Sequence, residues 1–588
     1  MDKQWIARDS KPAMTIVTAA NASPQEKYAA QELKNYLDFI TTSSVSMGDE
    51  GTSGPVIAIG KAAGRLGMTA GAELGDDGFT ICTVGGSLGI VGGKRGVIYG
   101  VYEFLEKLGC RFFTPTCEKI PSMPDLPLPD LDDTQIPVLE YRYHNYRDFT
   151  RYPRFAVKNR INGPIPIKEE FGGHLSYVWF VHTFEPCILN PEEWFDSHPE
   201  YFSMVNGKRI KERTQLCLTN PDVLRIAIEK VKAALRENPG SRLISVSQND
   251  WGNNCTCPEC RKIGEREGSS AGSLIWFVNQ VAEAIEPEFP DVIVDTLAYQ
   301  YSRPAPKYIR PRRNVCVRLC SIEACFAHPF ESCDDQSRRV KRPDGSSSDF
   351  ITDLQDWAKV CDRMYIWDYT TCFAHYPAPF PNWNVLQPNM QAFVRNNVKG
   401  VFEQACGAIG GSTDLNELRA YLIAKLLWNA DCDVEQHIKE FLECYYGAAA
   451  PYIRQYIRTL TDKVEKENIH IGFNDQCDQP YLTDEMLDIY DELFDQAEKA
   501  VQGDPIRAMR VAKARLSIRW VRLKNNAMLK GIKNPQEIHQ FFEDWHAHGL
   551  TRIDEWVSKE TSHRALIGGR WRGIEFYDNW WDEGPEEL

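Results

Sequence analysis

Apolar and polar positions follow three successive regimes along the chain. Over residues 1–130 short apolar runs of strand length (Ile16-Val17, PVIAIG, FTICTV, LGIVGG) alternate with two stretches, YAAQELKNYLDFIT and GVIYGVYEFLEKLG, whose apolar residues recur at helical spacing. Ser23-Pro24-Gln25-Glu26 predicts the start of the first helix, with serine as N-cap and proline at N1, and Gly109 predicts the end of the second. This is the pattern of a small α/β domain. PSMPDLPLPDLDDTQIP, residues 121–137, breaks it with prolines and aspartates and reads as a linker.

From residue 138 the pattern changes to strand-like runs separated by helical segments. The runs are 138–145, 177–184, 242–250, 292–301, 314–323, 363–370 and 400–404, with a short further strand expected near Arg160-Ile161-Asn162. NPDVLRIAIEKVKAALREN, GSLIWFVNQVAEAIEPEF and ITDLQDWAKVCD are helical segments between them. Seven or eight such units predict an α/β fold with a (β/α)8 TIM-like barrel over 138–415 rather than a doubly wound sheet. Residues 416–588 read as a helical domain, through to the aromatic stretch RWRGIEFYDNWW.

Charge and composition narrow the function classes. A net charge of −15 leaves no basic footprint for nucleic acid or an anionic membrane surface. No apolar run is long enough to span a bilayer. The start, MDKQWIARDS, has no signal-peptide pattern, so the expected chain is either cytoplasmic or a mature form. GGKRGVIYG lacks both the dinucleotide and the Walker spacing and reads as a tight strand-to-helix turn. The 18 cysteines are spread over the chain, and Cys82, Cys110 and Cys361 read as buried free thiols.

The chemistry concentrates at the expected C-terminal ends of the strands, where a barrel of this type carries its reacting groups. Those ends hold His144, Asn145, His182, Gln248, Asn249, Asp250, Trp251, Tyr299, Tyr301, Glu323, Trp367, Asp368, Tyr369, Glu403 and Gln404. Carboxylates from separate strands, interleaved with Trp and Tyr, are what glycosidic cleavage requires: an acid for the leaving oxygen, a second group at the oxocarbenium-like carbon, and aromatic faces for the ring. A single aspartate at a strand end is more often a helix cap; several ends together favour a cleft. Asp250 and Glu403 are the expected principal carboxylates, then Asp368, with the remaining residues contacting sugar and Arg318 paired with Glu323 in support.

Cys255-x-Cys257-x-x-Cys260 allows three readings: a zinc site, a disulfide staple, or packed thiols. No second clean CxxC pair is present, and Cys316, Cys320, Cys325 and Cys333 are irregularly spaced, so a metal is not expected and the cysteines are read as fixing the loop behind Asp250.

In order, SVSQND with CxCxxC, DTLAYQYSRPAP, VRLCSIEACFAHP, YIWDYTTCFAHY, GVFEQ and ELRAYLIAKLLWN resemble the bacterial domain of unknown function 4838, classed with glycoside hydrolase family 163. The resemblance covers about 138–450. It implies a (β/α)8 endo-β-N-acetylglucosaminidase acting on complex N-glycans or glycoproteins, without redox cofactor, and secreted, periplasmic or surface-located in a glycan-foraging gut bacterium. GVIYGVYEFLEKLGCRFFTP is similar to the domain that precedes hexosaminidase and α-glucuronidase barrels. Retaining hexosaminidases often use the substrate acetamido oxygen as nucleophile; by that resemblance Asn249 would orient the acetamide and Asp250 protonate the leaving group. Double displacement by Asp250 and Glu403 is the rival mechanism. An α-glucuronidase-like exo-hydrolase, with Arg142, Arg147 or Arg160 as uronate clamp, and a non-catalytic glycan-binding protein are the competing functions.

Overall fold

The structure, a computed structural model, describes residues 4–407, 414–550 and 552–555. The stretch RWRGIEFYDNWW lies outside the described residues.

The N-terminal domain is a six-stranded mixed sheet in the order Asp132–Gln135, Phe79–Val84, Ser87–Gly92, Val56–Ile59, Thr15–Val17, Ser46–Gly48. Helix α1, Pro24–Thr41, begins as expected: Ser23 accepts from the Glu26 amide while the Glu26 carboxylate accepts from the Ser23 amide, satisfying two otherwise orphan donors. Helix α2, Gly96–Lys107, packs on the sheet through Tyr99, Tyr102 and Phe104. The turn before α2 is glycine-rich because backbone passes too close for a side chain: a Cβ at Gly93 would lie 1.8 Å from the Gly75 carbonyl and one at Gly96 1.9 Å from that of Gly78. The supposed linker contributes structure as well, since Asp132–Gln135 pairs antiparallel with Phe79–Cys82 as the edge strand.

The second unit is built on a six-stranded parallel sheet. Its strands are β1 (Tyr141–His144), β2 (Leu243–Ser245), β3 (Ile293–Ala298), β4 (Val315–Cys320), β5 (Met364–Tyr369) and β6 (Val398–Gln404), in the spatial order β1-β6-β5-β4-β3-β2. The run expected over 177–184 forms no regular strand: it bridges Tyr177 to Leu243 in parallel and bonds to Leu243, Ser245 and Ser247 through Val178, Trp179, Thr183 and Phe184, while the expected strand near Asn162 makes single backbone bonds to Arg142 and Leu175. What is observed is therefore a parallel half-barrel whose two edges, β1 and β2, are joined through irregular segments. Helices Pro221–Glu237, Ala271–Ile285, Phe350–Ala358, Leu386–Arg395 and Asn416–Trp428 cover its outer face.

Side chains alternate across each strand, and the inner face is aromatic. Tyr141 stacks on Tyr365 at 5.2 Å and Tyr143 on Phe402 at 4.7 Å. At their centre sits Arg318, buried, 3.2 Å from Asp295 and with its guanidinium 4.9 Å from the Phe180 ring and 5.1 Å from that of Tyr177. The expected Arg318–Glu323 pair does not form: Glu323 instead meets Arg303 at 3.0 Å, because it lies past the strand end whereas Arg318 points into the barrel.

Buried charge ties the two units together. Arg142 Nη2 meets Asp77 at 3.0 Å, and Arg160 meets Glu103 at 2.7 Å and Glu106 at 3.0 Å. Beyond α-helix Asn416–Trp428, helices Val434–Tyr446, Ala450–Lys466, Asp484–Ala500, Pro505–Leu529 and Pro535–Ala547 form a helical unit whose core, around Tyr456, Phe494, Trp520 and Phe541, runs on into Phe326, Tyr369 and Phe373 at the strand ends.

Candidate active site

A cleft of 250 Å³ opens at the C-terminal ends of the parallel strands, lined by His182, Asp250, Leu297, Tyr299, Cys320, Ile322, Trp367, Tyr369, Phe373, Gln404, Phe473 and Glu555. Among the described residues its lining contains no lysine or arginine. A larger cavity of 400 Å³, lined by Asp76, Asp77, Arg95, Arg242 and Arg363, lies between the domains at the opposite strand ends. Position favours the smaller one, since reacting groups of such sheets gather at the carboxyl ends of strands.

Asp250 follows β2 and is the most open acidic group of the cleft, its side chain 59% exposed. Tyr299, at the end of β3, donates its hydroxyl to Asp250 Oδ1 at 2.9 Å. His182, held at φ 53°, places Nδ1 2.9 Å from the Gln248 carbonyl and Nε2 3.8 Å from Asp250. A carbonyl only accepts, so Nδ1 carries the hydrogen and Nε2 is the atom that faces Asp250. Trp367 donates Nε1 to Gln404 Oε1 at 2.8 Å, which fixes an indole wall beside Tyr369. Glu555 enters from the C-terminal side; it accepts from the Tyr376 hydroxyl, and burial pushes its carboxyl above the usual range. Glu323 lies where this cleft adjoins a second one, the two sharing Ile322 and Phe473.

The other expected residues fall elsewhere. Glu403 and Asp368 are neighbours in register on β6 and β5, and His144 on β1 is the next in that row. They alternate with Phe402, Gln404, Trp367 and Tyr143, which face inward, so this polar row lies on the outer face beneath the helices. Burial, then the charge of Asp368, pushes Glu403 well above the carboxylate range, and burial raises Asp368, to which Ser321 donates. Burial lowers His144 to about 3, so it is neutral. Glu403 Oε2 meets no partner among the described residues.

Asn249 is spent on structure: Oδ1 accepts from the Glu185 amide at 3.0 Å and Nδ2 donates to the Thr214 carbonyl at 2.8 Å. Gln248 binds the Tyr299 carbonyl and Ser302, Trp251 donates to the Thr214 carbonyl, and Asn145 accepts from the Ala405 amide. Tyr301 is outside the cleft lining. The arginines weighed as a uronate clamp do not line it either, and Arg142 and Arg160 are consumed at the domain interface. Phe473 and Glu555 escaped the sequence reading because they come from loops of the helical region without periodicity or motif; Phe373 stands within YIWDYTTCFAHY but past the strand end, where no periodicity marks it.

Among the described residues Cys217, Cys255, Cys257 and Cys260 form one buried cluster, and all 18 cysteines are free. The disulfide staple is thus not observed, and the fourth thiol lies upstream of the CxCxxC segment.

A polar, aromatic-walled cleft at the carboxyl ends of a parallel sheet is where enzymes of this architecture carry their reacting groups. The chain belongs to the family described as domain of unknown function (DUF4838), whose model matches residues 112–458. Residues 4–104 match the model of the glycosyl hydrolase family 67 N-terminus. No curated protein matches the chain. Among solved structures the chain is similar to a family GH115 4-O-methyl-α-glucuronidase with specificity for decorated arabinogalactans, at TM-score 0.57 and 12% identity over 98% of this chain and 80% of that one. It is also similar to a family 89 glycoside hydrolase from Clostridium perfringens (TM-score 0.47, 12% identity, 89% of this chain and 65% of that one). A Streptomyces plicatus N-acetyl-β-hexosaminidase matches at TM-score 0.39 and 10% identity, over 75% of this chain and 92% of that one. The first of these shows a shared fold.

Proposed function

We propose that this protein is a glycoside hydrolase, and more narrowly an endo-β-N-acetylglucosaminidase that releases complex N-glycans with retention of configuration. The observation that carries the reading is the cleft itself: Asp250 held by Tyr299 at the carboxyl ends of parallel strands, in one lining with a second, part-buried carboxyl, Glu555, and with the aromatic rings of Trp367, Tyr369, Phe373 and Phe473. Two carboxyl groups in unlike surroundings suit the two roles of glycosidic cleavage. Glu555, whose carboxyl burial pushes up, is the proposed acid for the leaving oxygen. Asp250 is the proposed carboxylate at the oxocarbenium-like centre, either bonding to the anomeric carbon or steadying the acetamido group that does. Glu323, beside the cleft and paired with Arg303, is the alternative partner carboxylate. Action on glycoproteins outside the cytoplasm, in a bacterium, is part of the same proposal and rests on the substrate class.

The family 67 N-terminal match and the GH115 fold support a second reading, an exo-acting α-glucuronidase. A uronate carboxylate calls for a cationic partner, and among the described residues the cleft lining holds neither lysine nor arginine. The deciding experiment is mass spectrometry of products from a biantennary N-glycoprotein and, in parallel, from a glucuronic-acid-bearing xylo-oligosaccharide. The endo reading expects a protein that keeps one N-acetylglucosamine and a released glycan that carries the other. Uronic acid release with an untouched glycoprotein would replace it with the second reading.

A further inference from the structure

We propose that Cys217, Cys255, Cys257 and Cys260 bind one structural zinc ion that fixes the loop behind Asp250. The four Sγ atoms all lie within 4.8 Å of one another, and Cys217 and Cys257 are 3.7 Å apart. A tetrahedral zinc with bonds of about 2.3 Å separates its sulfurs by roughly 3.8 Å, whereas a disulfide requires about 2.05 Å. The cluster makes no sense as a core, because apart from the four cysteines only part-buried Met204 packs on it. Its surroundings suit thiolates. The Met204 amide donates to Cys255 Sγ at 3.3 Å, Arg209 Nη1 lies 3.6 Å from the same sulfur, and Thr219 Oγ1 lies 3.2 Å from Cys260 Sγ. Cys257 caps the helix Pro258–Glu267, so the positive end of that helix faces the CxxC sulfurs. Binding releases four thiol protons to solvent and leaves a doubly negative centre, which Arg209 and these donors offset.

The site joins two segments that are also hydrogen-bonded, among other places where the Thr256 amide meets the Met204 carbonyl at 2.8 Å and Asn249 Nδ2 the Thr214 carbonyl at 2.8 Å. Residues 202–219 carry Gln215, whose side chain holds the Asn249 and Trp251 carbonyls at 3.0 and 2.7 Å, and residues 255–260 follow directly. Zinc here positions Asp250 without touching substrate.

A separate set of atoms carries a second site of the same kind. Cys325, His328, Cys333 and His470 also present ligand atoms within 4.8 Å of one another. Cys325 Sγ is 3.5 Å from His328 Nδ1 and Cys333 Sγ 3.8 Å from His470 Nδ1, while His470 Nε2 points at Asp334 at 3.2 Å, as ligating histidines do with an orienting carboxylate. This site would clip the loop after β4 to the helical unit, where the Phe326 amide already bonds the Ile471 carbonyl at 2.9 Å.

The test is elemental analysis of the full-length protein purified without chelator, followed by organomercurial release of the metal and by cobalt substitution. Two zinc ions per chain are expected, one remaining in Cys217→Ser/Cys260→Ser and one in Cys333→Ser/His470→Ala, with thiolate-to-cobalt bands lost in step. A double-cysteine variant with undiminished zinc would overturn the first site; an undiminished Cys333→Ser/His470→Ala would overturn the second. Because the variants can fail to fold, the wild type decides independently: no metal, or mass spectrometry showing these cysteines as disulfides, overturns both.

Discussion

Replacing Asp250 by asparagine should abolish chemistry while leaving the fold in place. The side chain is 59% exposed and among the described residues receives one hydrogen bond, from Tyr299 at 2.9 Å, which an amide oxygen can also accept. The stability at stake is therefore that of one part-exposed hydrogen bond, about 1 kcal/mol, or a shift in Tm of about 2 °C or less in a chain of this size. Asparagine cannot carry the negative charge that meets an oxocarbenium-like centre, nor move a proton. Loss of one such group costs about 10²- to 10⁴-fold, which is about 3–5 kcal/mol of barrier. Rates of glycan release under kcat/KM conditions, with Tm from a thermal scan, separate the two effects. A variant within threefold of wild type would refute the placement of Asp250 at the reacting centre, and a large fall in Tm would show that the residue is structural.

Glu403→Gln, on the outer face of the sheet, should keep glycan release within about threefold. Its effect belongs to stability: a carboxyl raised in the folded state favours folding below its unfolded pKa near 4.3 and loses that advantage as pH rises toward the folded value, at up to about 1.4 kcal/mol per pH unit. The variant should therefore gain on wild type in urea titrations between pH 4.5 and pH 7, and a constant difference would contradict the burial argument. Glu555→Gln should remove the alkaline limb of the pH–rate profile, since the raised carboxyl is the group whose deprotonation ends activity; an unchanged limb with Glu323→Gln inactive would move the acid role to Glu323. Arg303→Met takes from buried Asp353 its nearer cation, 2.8 Å away, and leaves it Arg342 at 3.3 Å and the Ser348 hydroxyl at 2.6 Å; it should cost about 1–3 kcal/mol, seen as a drop in Tm with kcat of the folded protein near normal if Glu323 is not the reacting carboxylate.

Much of the architecture was legible because it rests on local rules. The Ser23 cap, the strand runs at 243–245, 293–298, 315–320 and 364–369, and the helices between them appear where periodicity placed them. The segments near Asn162 and Tyr177 were less so: they are held by scattered backbone bonds and aromatic contacts rather than by a continuous strand ladder. The cleft was half legible. Asp250, Tyr299, Trp367, Tyr369, His182 and Gln404 do converge. Which of two adjacent residues faces the lumen depends on a register that slips by one residue at a time; thus Gln404 lines the cleft while Glu403 does not. Asn249 and Gln248 look like ligands in sequence and turn out to satisfy loop carbonyls and amides. Cys217 was missed because its partners lie 38 to 43 positions downstream, with no second paired motif to announce it.

The most direct test of glycosidase action at this cleft is to incubate wild type and Asp250→Asn with a complex N-glycoprotein in oxygen-labelled water and weigh the products. Wild type should release glycan carrying one labelled oxygen at its new reducing end, and Asp250→Asn should release almost none. Glycan release that persists in the variant would place the chemistry elsewhere, and failure of the wild type to cleave this or any other glycan would contradict the account as a whole.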